Sequence, residues 1–208
     1  MRHTGILTGT FDPVHNGHLA IARAAHEQCS LDAVWFWPNP DPTHKMTIAS
    51  YDDRLAMLKL ALMDEATLQV APVSEISFRR PHTIENFQAV LQPFCDQRFS
   101  FIVGMDTLGR IDTWRNFESV VTNTSFIVIH RSDSTDADMY ALLQRLGESE
   151  KKLRVELLDV PMAAGLSSTK LRQALTIGEV SGGLPMKVAE YALRHGIYKS
   201  EFQAPARN

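Results

Sequence analysis

Cysteine is scarce: the 208 residues contain two, Cys29 and Cys95, with no CxxC pair and no zinc-ligand spacing. Such a pair is no disulfide framework, so the expected compartment is a reducing cytoplasm. Long apolar runs are also missing. Leu55 to Met63 is broken by Lys59, and Phe126 to Ile129 is only strand-length. Neither approaches the ~18 apolar residues of a membrane span. Met1-Arg2-His3-Thr4 leads straight into Gly5-Ile6-Leu7, without the apolar stretch of a secretory leader. Nor is there a surplus of positive charge, since 21 Lys and Arg stand against 24 Asp and Glu, a formal net charge of −3. A protein that grips duplex DNA normally carries a basic excess. No nucleic acid and no membrane is therefore expected as a partner, and a bound anion would be a small ligand in a local pocket.

Several chemical signatures are absent too. There is no GxxxxGK[ST], no GxGxxG after the first strand, no HExxH, no GxSxG and no EF-hand loop. These absences argue against a P-loop NTPase and against the common zinc-protease and serine-hydrolase motifs. What is present fits a globular chain, with 44% apolar and 22% charged residues. One domain over residues 1–208 is expected.

Strand and helix patterns alternate along it. Strands are predicted at Gly5–Thr8, Ala33–Trp37, Thr67–Ala71, Phe99–Val103, Ser125–Ile129 and Arg154–Val160. Helices are predicted at Leu19–Cys29, Tyr51–Met63, Ile84–Leu91, Asp136–Leu146, Ser168–Leu175 and Pro185–His195. Ser50 is placed to cap the second helix, with Asp52 and Asp53 in its first turn, where the helix dipole favours acids. Pro185 near a helix start and Gly196 just past its end follow the usual asymmetry. Alternating elements imply an α/β fold, a mostly parallel sheet with helices on both faces.

Five segments carry the candidate chemistry. The first is Gly9-Thr10-Phe11-Asp12-Pro13-Val14-His15-Asn16-Gly17-His18, between the first strand and the first helix. Gly9 lets backbone approach a phosphate. His15 and His18 flank an Asn16-Gly17 turn, and His18 begins the helix, where N–H groups attract anions. The same residues suit an ordinary loop with solvated histidines, and a metal-binding HxxH lacks a third ligand. The second segment is Gly165-Leu166-Ser167-Ser168-Thr169-Lys170-Leu171-Arg172, with hydroxyls at a helix start and a guanidinium one turn on. It suits a phosphate, or simply an N-cap. The third is Gly104-Met105-Asp106, where Asp106 either meets a ribose or caps a helix. The fourth is Pro42-Thr43-His44-Lys45, a basic loop. The fifth is Arg79-Arg80-Pro81-His82-Thr83, with Thr83 a plausible helix cap.

Together these segments resemble the bacterial nicotinate-nucleotide adenylyltransferases of the (H/T)xGH nucleotidylyltransferase superfamily. Gly9–His18 is similar to their GTFDPVHxGH signature, and Leu166–Arg172 to the second motif, (I/W)SSTxxR. The likeness runs from Gly5 to His195-Gly196-Ile197-Tyr198-Lys199, which resembles a terminal HGLYR, and is thinnest over Ser132–Lys152. It implies a Rossmann-like nucleotidyltransferase fold with the segment about 165–199 packed on it. It further implies adenylyl transfer from ATP to nicotinate mononucleotide, giving deamido-NAD and pyrophosphate in NAD biosynthesis. ATP would be held by Gly9, Thr10, Phe11, His15, His18, Gly104, Asp106, Arg131, Ser167, Ser168, Thr169 and Arg172. His18, His15 and Arg172 are the implied catalytic groups. His44, Lys45, His82, Thr83, Trp114 and Arg115 would meet the acceptor, with Trp114 stacked on its ring. Mg²⁺ is expected on the ATP phosphates rather than in a protein metal site. A homo-oligomer is compatible with the reading.

Departures mark where the likeness is weakest. Thr8 stands in place of a Gly, Leu166 of Ile or Trp, and Thr43 of a Pro. Pro81-His82 replaces Ser-Tyr at the acceptor pocket. Nicotinamide mononucleotide and phosphopantetheine are the alternative acceptors, and a non-catalytic nucleotide-binding regulator is a reading of another class. The PTHK loop, Thr113-Trp114 and the HGIY ending favour the nicotinate branch.

His82 generates a test. Arg79, Arg80 and His82 precede a helix start, which already favours anions, so the nicotinate carboxylate is preferred over a neutral amide. An imidazole titrates near pH 6.5 in model peptides, and protonation adds a positive charge. The preference, read as the ratio of acceptor KM values between pH 8 and 6, is therefore expected to sharpen as pH falls. His82→Tyr should flatten that profile; a profile unchanged by the substitution removes His82 from the pocket.

Overall fold

The computed structural model describes residues 1–40, 42, 46–72, 89–108, 125–130, 144, 154–160, 165–180 and 182–199. Six strands form one sheet: β1 (Arg2–Gly9), β2 (Ala33–Pro38), β3 (Leu68–Val70), β4 (Gln97–Gly104), β5 (Ser125–His130) and β6 (Arg154–Asp159). The order is β3-β2-β1-β4-β5-β6, and every pairing is parallel. The helices are α1 (Asn16–Gln28), α2 (Tyr51–Ala61), α3 (Ser168–Thr176) and α4 (Met186–Arg194), with a single turn at Met105–Leu108. All six expected strands are present. Of the expected helix Ile84–Leu91, only residues 89–91 fall within the described part, and they are helical. Asp136–Leu146 lies outside it, apart from residue 144.

Successive side chains on a strand point to opposite faces, and the core follows that period of two. On one face Leu7, Val34, Phe36, Ile102, Ile127 and Ile129 join Leu19, Ala22, Met57, Leu58, Leu171 and Val188 from the helices. On the other, Ile6, Trp35, Trp37, Phe101, Val103, Phe126 and Val128 pack with Leu108. Both faces are covered, as parallel sheets require. Among the described residues no helix is long and apolar enough to cross a membrane.

Most element ends shift by a few residues, and two of the shifts have a visible cause. Asn16-Gly17 reads as a turn, yet α1 already begins at Asn16. The Asn16 backbone amide donates to the Gly183 carbonyl at 2.9 Å, and its side-chain amide to Gly182 at 2.8 Å. That anchoring lets the helix start three residues early. Pro38, expected just past the end of the strand Ala33–Trp37, is instead its last residue, paired with Gly9. It lies past the end of β3, whose last partner is Phe36, where a missing N–H is tolerated.

Arg54 of α2 is 1% exposed. It donates to the carbonyls of Thr10 at 2.6 Å, Asn39 at 2.8 Å and Pro40 at 3.1 Å. These groups lie just past the C-terminal ends of β1 and β2, where the ladder has run out and buried carbonyls would otherwise lack donors. Burial pulls the guanidinium's pKa down, opposed by Asp12, Tyr51 and Tyr198, but arginine stays charged under working conditions. Arg54→Ala leaves three carbonyls short of a donor, for a cost of about 3 kcal/mol or more. The melting temperature is expected to fall by on the order of 10 °C. Arg54→Lys should recover only part of that, because an ammonium cannot span the three acceptors as the planar fork does. A melt unchanged in Arg54→Ala would contradict this role.

Candidate active site

In an open parallel sheet of this order, the first strands on either side of the order reversal diverge and leave a crevice beyond their C-terminal ends. Here the crevice lies between the ends of β1 and β4, at Gly9 and Gly104. A Cβ added at Gly104 would meet nothing within 4 Å among the described residues. Asp106 lies in the single turn that follows β4.

Gly9 also has a neighbour that the sequence did not indicate. A Cβ there would sit 2.8 Å from the Phe11 ring. Phe11 has φ +48, a left-handed conformation that costs energy in a residue with a Cβ and that clusters at functional sites. Its ring is 1% exposed. It meets His18 edge-on at 5.0 Å between centroids and Phe36 at 5.5 Å. Gly9 thus makes room for a wedge that fixes the His18 ring.

His15 is the N-cap of α1 and His18 is its third residue. The rings stack, with centroids 3.7 Å apart and planes inclined by 28°. The His15 backbone N–H donates to His18 Nδ1 at 3.2 Å, in the place that Glu or Gln takes in a capping box. With Nδ1 accepting, the neutral form of the His18 ring carries its proton on Nε2. Gly17 is small because a Cβ would lie 3.0 Å from the His15 ring and 3.4 Å from Leu166. The HxGH glycine therefore lets the stacked ring lie against the helix, and lets the second motif approach.

That second motif is zipped onto the first. Ser168 donates to the Pro13 carbonyl at 3.1 Å. Arg172 Nη1 donates to the Asp12 carbonyl at 2.7 Å, and Nη2 to Thr169 Oγ1 at 3.2 Å. Ser167 caps α3 by accepting from the Lys170 N–H at 3.3 Å. All three hydroxyls of the Ser-Ser-Thr run thus have protein partners here. The early amides of α3 other than that of Lys170 have no acceptor within the helix, as in any helix start, and they remain available to an anion.

Asp12 is buried at 3% exposure. Its carboxylate accepts from the amides of Ile48 at 2.9 Å and Ala49 at 3.2 Å, and from the Tyr198 hydroxyl at 2.7 Å. Burial, then the neighbouring carboxylate, drives the Tyr198 phenol far above its ordinary pKa, which keeps it a donor. Sequence reasoning placed Asp12 and Tyr198 inside its motifs without giving either a task, and it passed over Arg54. Nothing in α2 marks Arg54, since a basic residue in a helix ordinarily faces water.

The structure brings together Gly9, Thr10, Phe11, His15, His18, Ser167, Ser168, Thr169 and Arg172. His44, Lys45, His82, Thr83, Trp114, Arg115 and Arg131 lie outside the described residues, as does the side chain of Asp106.

Comparison with known proteins is consistent with this geometry. The cytidylyltransferase-like family model matches residues 6–174. A probable nicotinate-nucleotide adenylyltransferase of Neisseria meningitidis is 36% identical, over 96% of this chain and 100% of that one. One from Solibacter usitatus is 36% identical, over 93% and 97%. Among solved structures, nicotinic acid mononucleotide adenylyltransferase of Plasmodium falciparum, complexed with NaAD, superposes with a TM-score of 0.76. It shares 16% identity and covers 95% of this chain and 98% of that one. At that identity the likeness concerns the fold, a Rossmann-like nucleotidyltransferase. The chain belongs to the cytidylyltransferase-like family, and within it to the nicotinate-nucleotide adenylyltransferases.

Proposed function

We propose that the protein transfers the adenylyl group of ATP to nicotinate mononucleotide, giving nicotinate adenine dinucleotide and pyrophosphate. The observation that carries this reading is the junction of the two motifs. It gathers His18, the Arg172 guanidinium and the starts of α1 and α3 beyond the C-terminal end of β1. The names of the relatives support the acceptor. They favour the nicotinate branch over a phosphopantetheine acceptor.

In this reaction an acceptor phosphate oxygen attacks the α-phosphorus of ATP, and the bond to the bridging oxygen of the leaving pyrophosphate breaks. A phosphate monoester is already nucleophilic near neutral pH, so the chain need not supply a strong base. Its task is alignment, together with stabilising charge on the α-phosphoryl and leaving groups. His18 is assigned to the α-phosphoryl oxygens and Arg172 to the departing phosphates, with His15 held against His18. Asp106, Arg131, Lys45 and the acceptor residues named above complete the proposal. Mg²⁺ would arrive on the triphosphate and neutralise part of its charge. The donors of the crevice fit such a complex, and Asp12, with three donors already on its oxygens, is not needed as a ligand. The absence of a membrane-crossing helix among the described residues fits the cytoplasmic setting expected of small-molecule biosynthesis.

The reading is tested by pyrophosphate release from ATP with nicotinate mononucleotide, nicotinamide mononucleotide or phosphopantetheine as acceptor. Turnover with none of the three would overturn it. His18→Ala removes a preorganised donor and should lower kcat by ~100- to 1000-fold in a protein that still melts cooperatively. Near-normal turnover would show that His18 is misassigned. Arg172→Ala should weaken ATP far more than AMP, since AMP lacks the phosphates assigned to it, and Arg172→Lys should restore only part of the loss. Equal weakening of both nucleotides in a calorimetric titration contradicts that assignment.

A further inference from the structure

We propose that Tyr198 is a positioning residue of the transfer site: its phenol occupies Asp12, so that the Arg172 guanidinium stays free to take phosphate. The proposal rests on the adenylyltransferase reading above. A carboxylate and a guanidinium this close ordinarily collapse into a charge-assisted, often bidentate pair with N···O distances of about 2.7–2.9 Å. Here Arg172 Nη1 stands 3.9 Å from Asp12 Oδ2, beyond hydrogen-bond distance. The reason lies in the other donors. Asp12 Oδ1 takes the Tyr198 hydroxyl at 2.7 Å and the Ala49 amide at 3.2 Å, and Oδ2 takes the Ile48 amide at 2.9 Å. Arg172 instead uses Nη1 on the Asp12 carbonyl and Nη2 on Thr169. Two of its five N–H donors suffice for these bonds, leaving the rest for a ligand.

The phenol is held to this task from the far end of the chain. Tyr198 is 5% exposed and has φ +70, a conformation unfavourable for a residue with a Cβ, which persists only where tertiary contacts impose it. Its carbonyl accepts from Thr176 Oγ1 at 3.0 Å, and the same hydroxyl lies 2.9 Å from the Arg172 carbonyl. Phenol and guanidinium are thus referenced to one turn of α3. Removing only the hydroxyl leaves Oδ1 with a single donor and frees the carboxylate to turn toward Arg172, which already stands 3.9 Å from Oδ2 and is its nearest cation among the described residues. The guanidinium is then drawn onto Asp12 and away from the phosphate.

The test is a double-mutant cycle on the full chain with Tyr198→Phe, Arg172→Ala and the combination. Tyr191→Phe, which removes a phenol hydroxyl from a different carboxylate, that of Asp53 at 3.1 Å, is the structural control. Tyr198→Phe is expected to lower kcat/KM for ATP roughly ten-fold or more, the scale of one hydrogen bond to a charged group. Acceptor KM should move by less than about two-fold. In the Arg172→Ala background the same substitution should change kcat/KM by less than about two-fold, because residues acting as a unit are not additive. Tyr191→Phe should leave kcat/KM for ATP near the parent value. An undiminished Tyr198→Phe effect on Arg172→Ala overturns the proposal. So does a Tyr191→Phe loss of the same size, or parent-like kinetics in Tyr198→Phe. If the parent chain does not turn over the acceptor, the reaction reading fails by itself. Calorimetric binding of ATP to the same proteins then decides the role of Tyr198 by the same non-additivity.

Discussion

A carboxylate taken out of water must find donors for its oxygens, and Asp12 finds them on separate stretches of the chain. The Ile48 and Ala49 amides come from the loop before α2, and the Tyr198 hydroxyl from the turn after α4. The same residue's backbone carbonyl receives Arg172 from α3. Leaving a buried charge unpaired costs several kcal/mol, so these segments must be in place together. Asp12 lies between Phe11, the wedge against the His18 ring, and the α1 cap. The position of the candidate phosphate donors therefore depends on the satisfaction of this one acid.

Among the described residues around it, positive groups outnumber acids. Asp12 is one acid, Arg54 and Arg172 are two guanidiniums, and both α1 and α3 present helix N-termini to the same region. Guanidiniums and helix starts gathered in this way suit a polyphosphate. It also reconciles a net charge of −3 with an anionic substrate, since what matters is the local field. The two cations divide the work by burial. Arg54, spent on three carbonyls, fixes the loops, while Arg172, with a fifth of its side chain exposed, faces the crevice.

Polar groups that look chemical in sequence prove to be partly architectural. The hydroxyls of Ser167, Ser168 and Thr169 each hold a protein partner, and Gly9 and Gly17 accommodate the rings of Phe11 and His15. A motif of this kind concerns the assembly of donors as much as the donors themselves. Preorganisation is what allows a site to stabilise charge without rearranging as the reaction proceeds.

The alternating pattern of the chain was enough to read the α/β class, the strand centres and the helices from residue 51 and from residue 168, because hydrophobic period and caps such as Ser50 and Ser167 are local properties. The two phosphate motifs were legible for a similar reason, as their residues are contiguous. The start of α1 was not, because Asn-Gly is a turn signal that only the carbonyls at 182 and 183 override. Nor was the pairing of the motifs. Asp12 and Arg172 are 160 residues apart and Asp12 and Tyr198 are 186 apart, and no local preference encodes such contacts. Sequence alone determined which residues carry donors and charge. The tertiary structure decided which of those donors are consumed by buried acceptors and which are left for a ligand, because desolvation forces every buried polar group to find its partner wherever the fold supplies one.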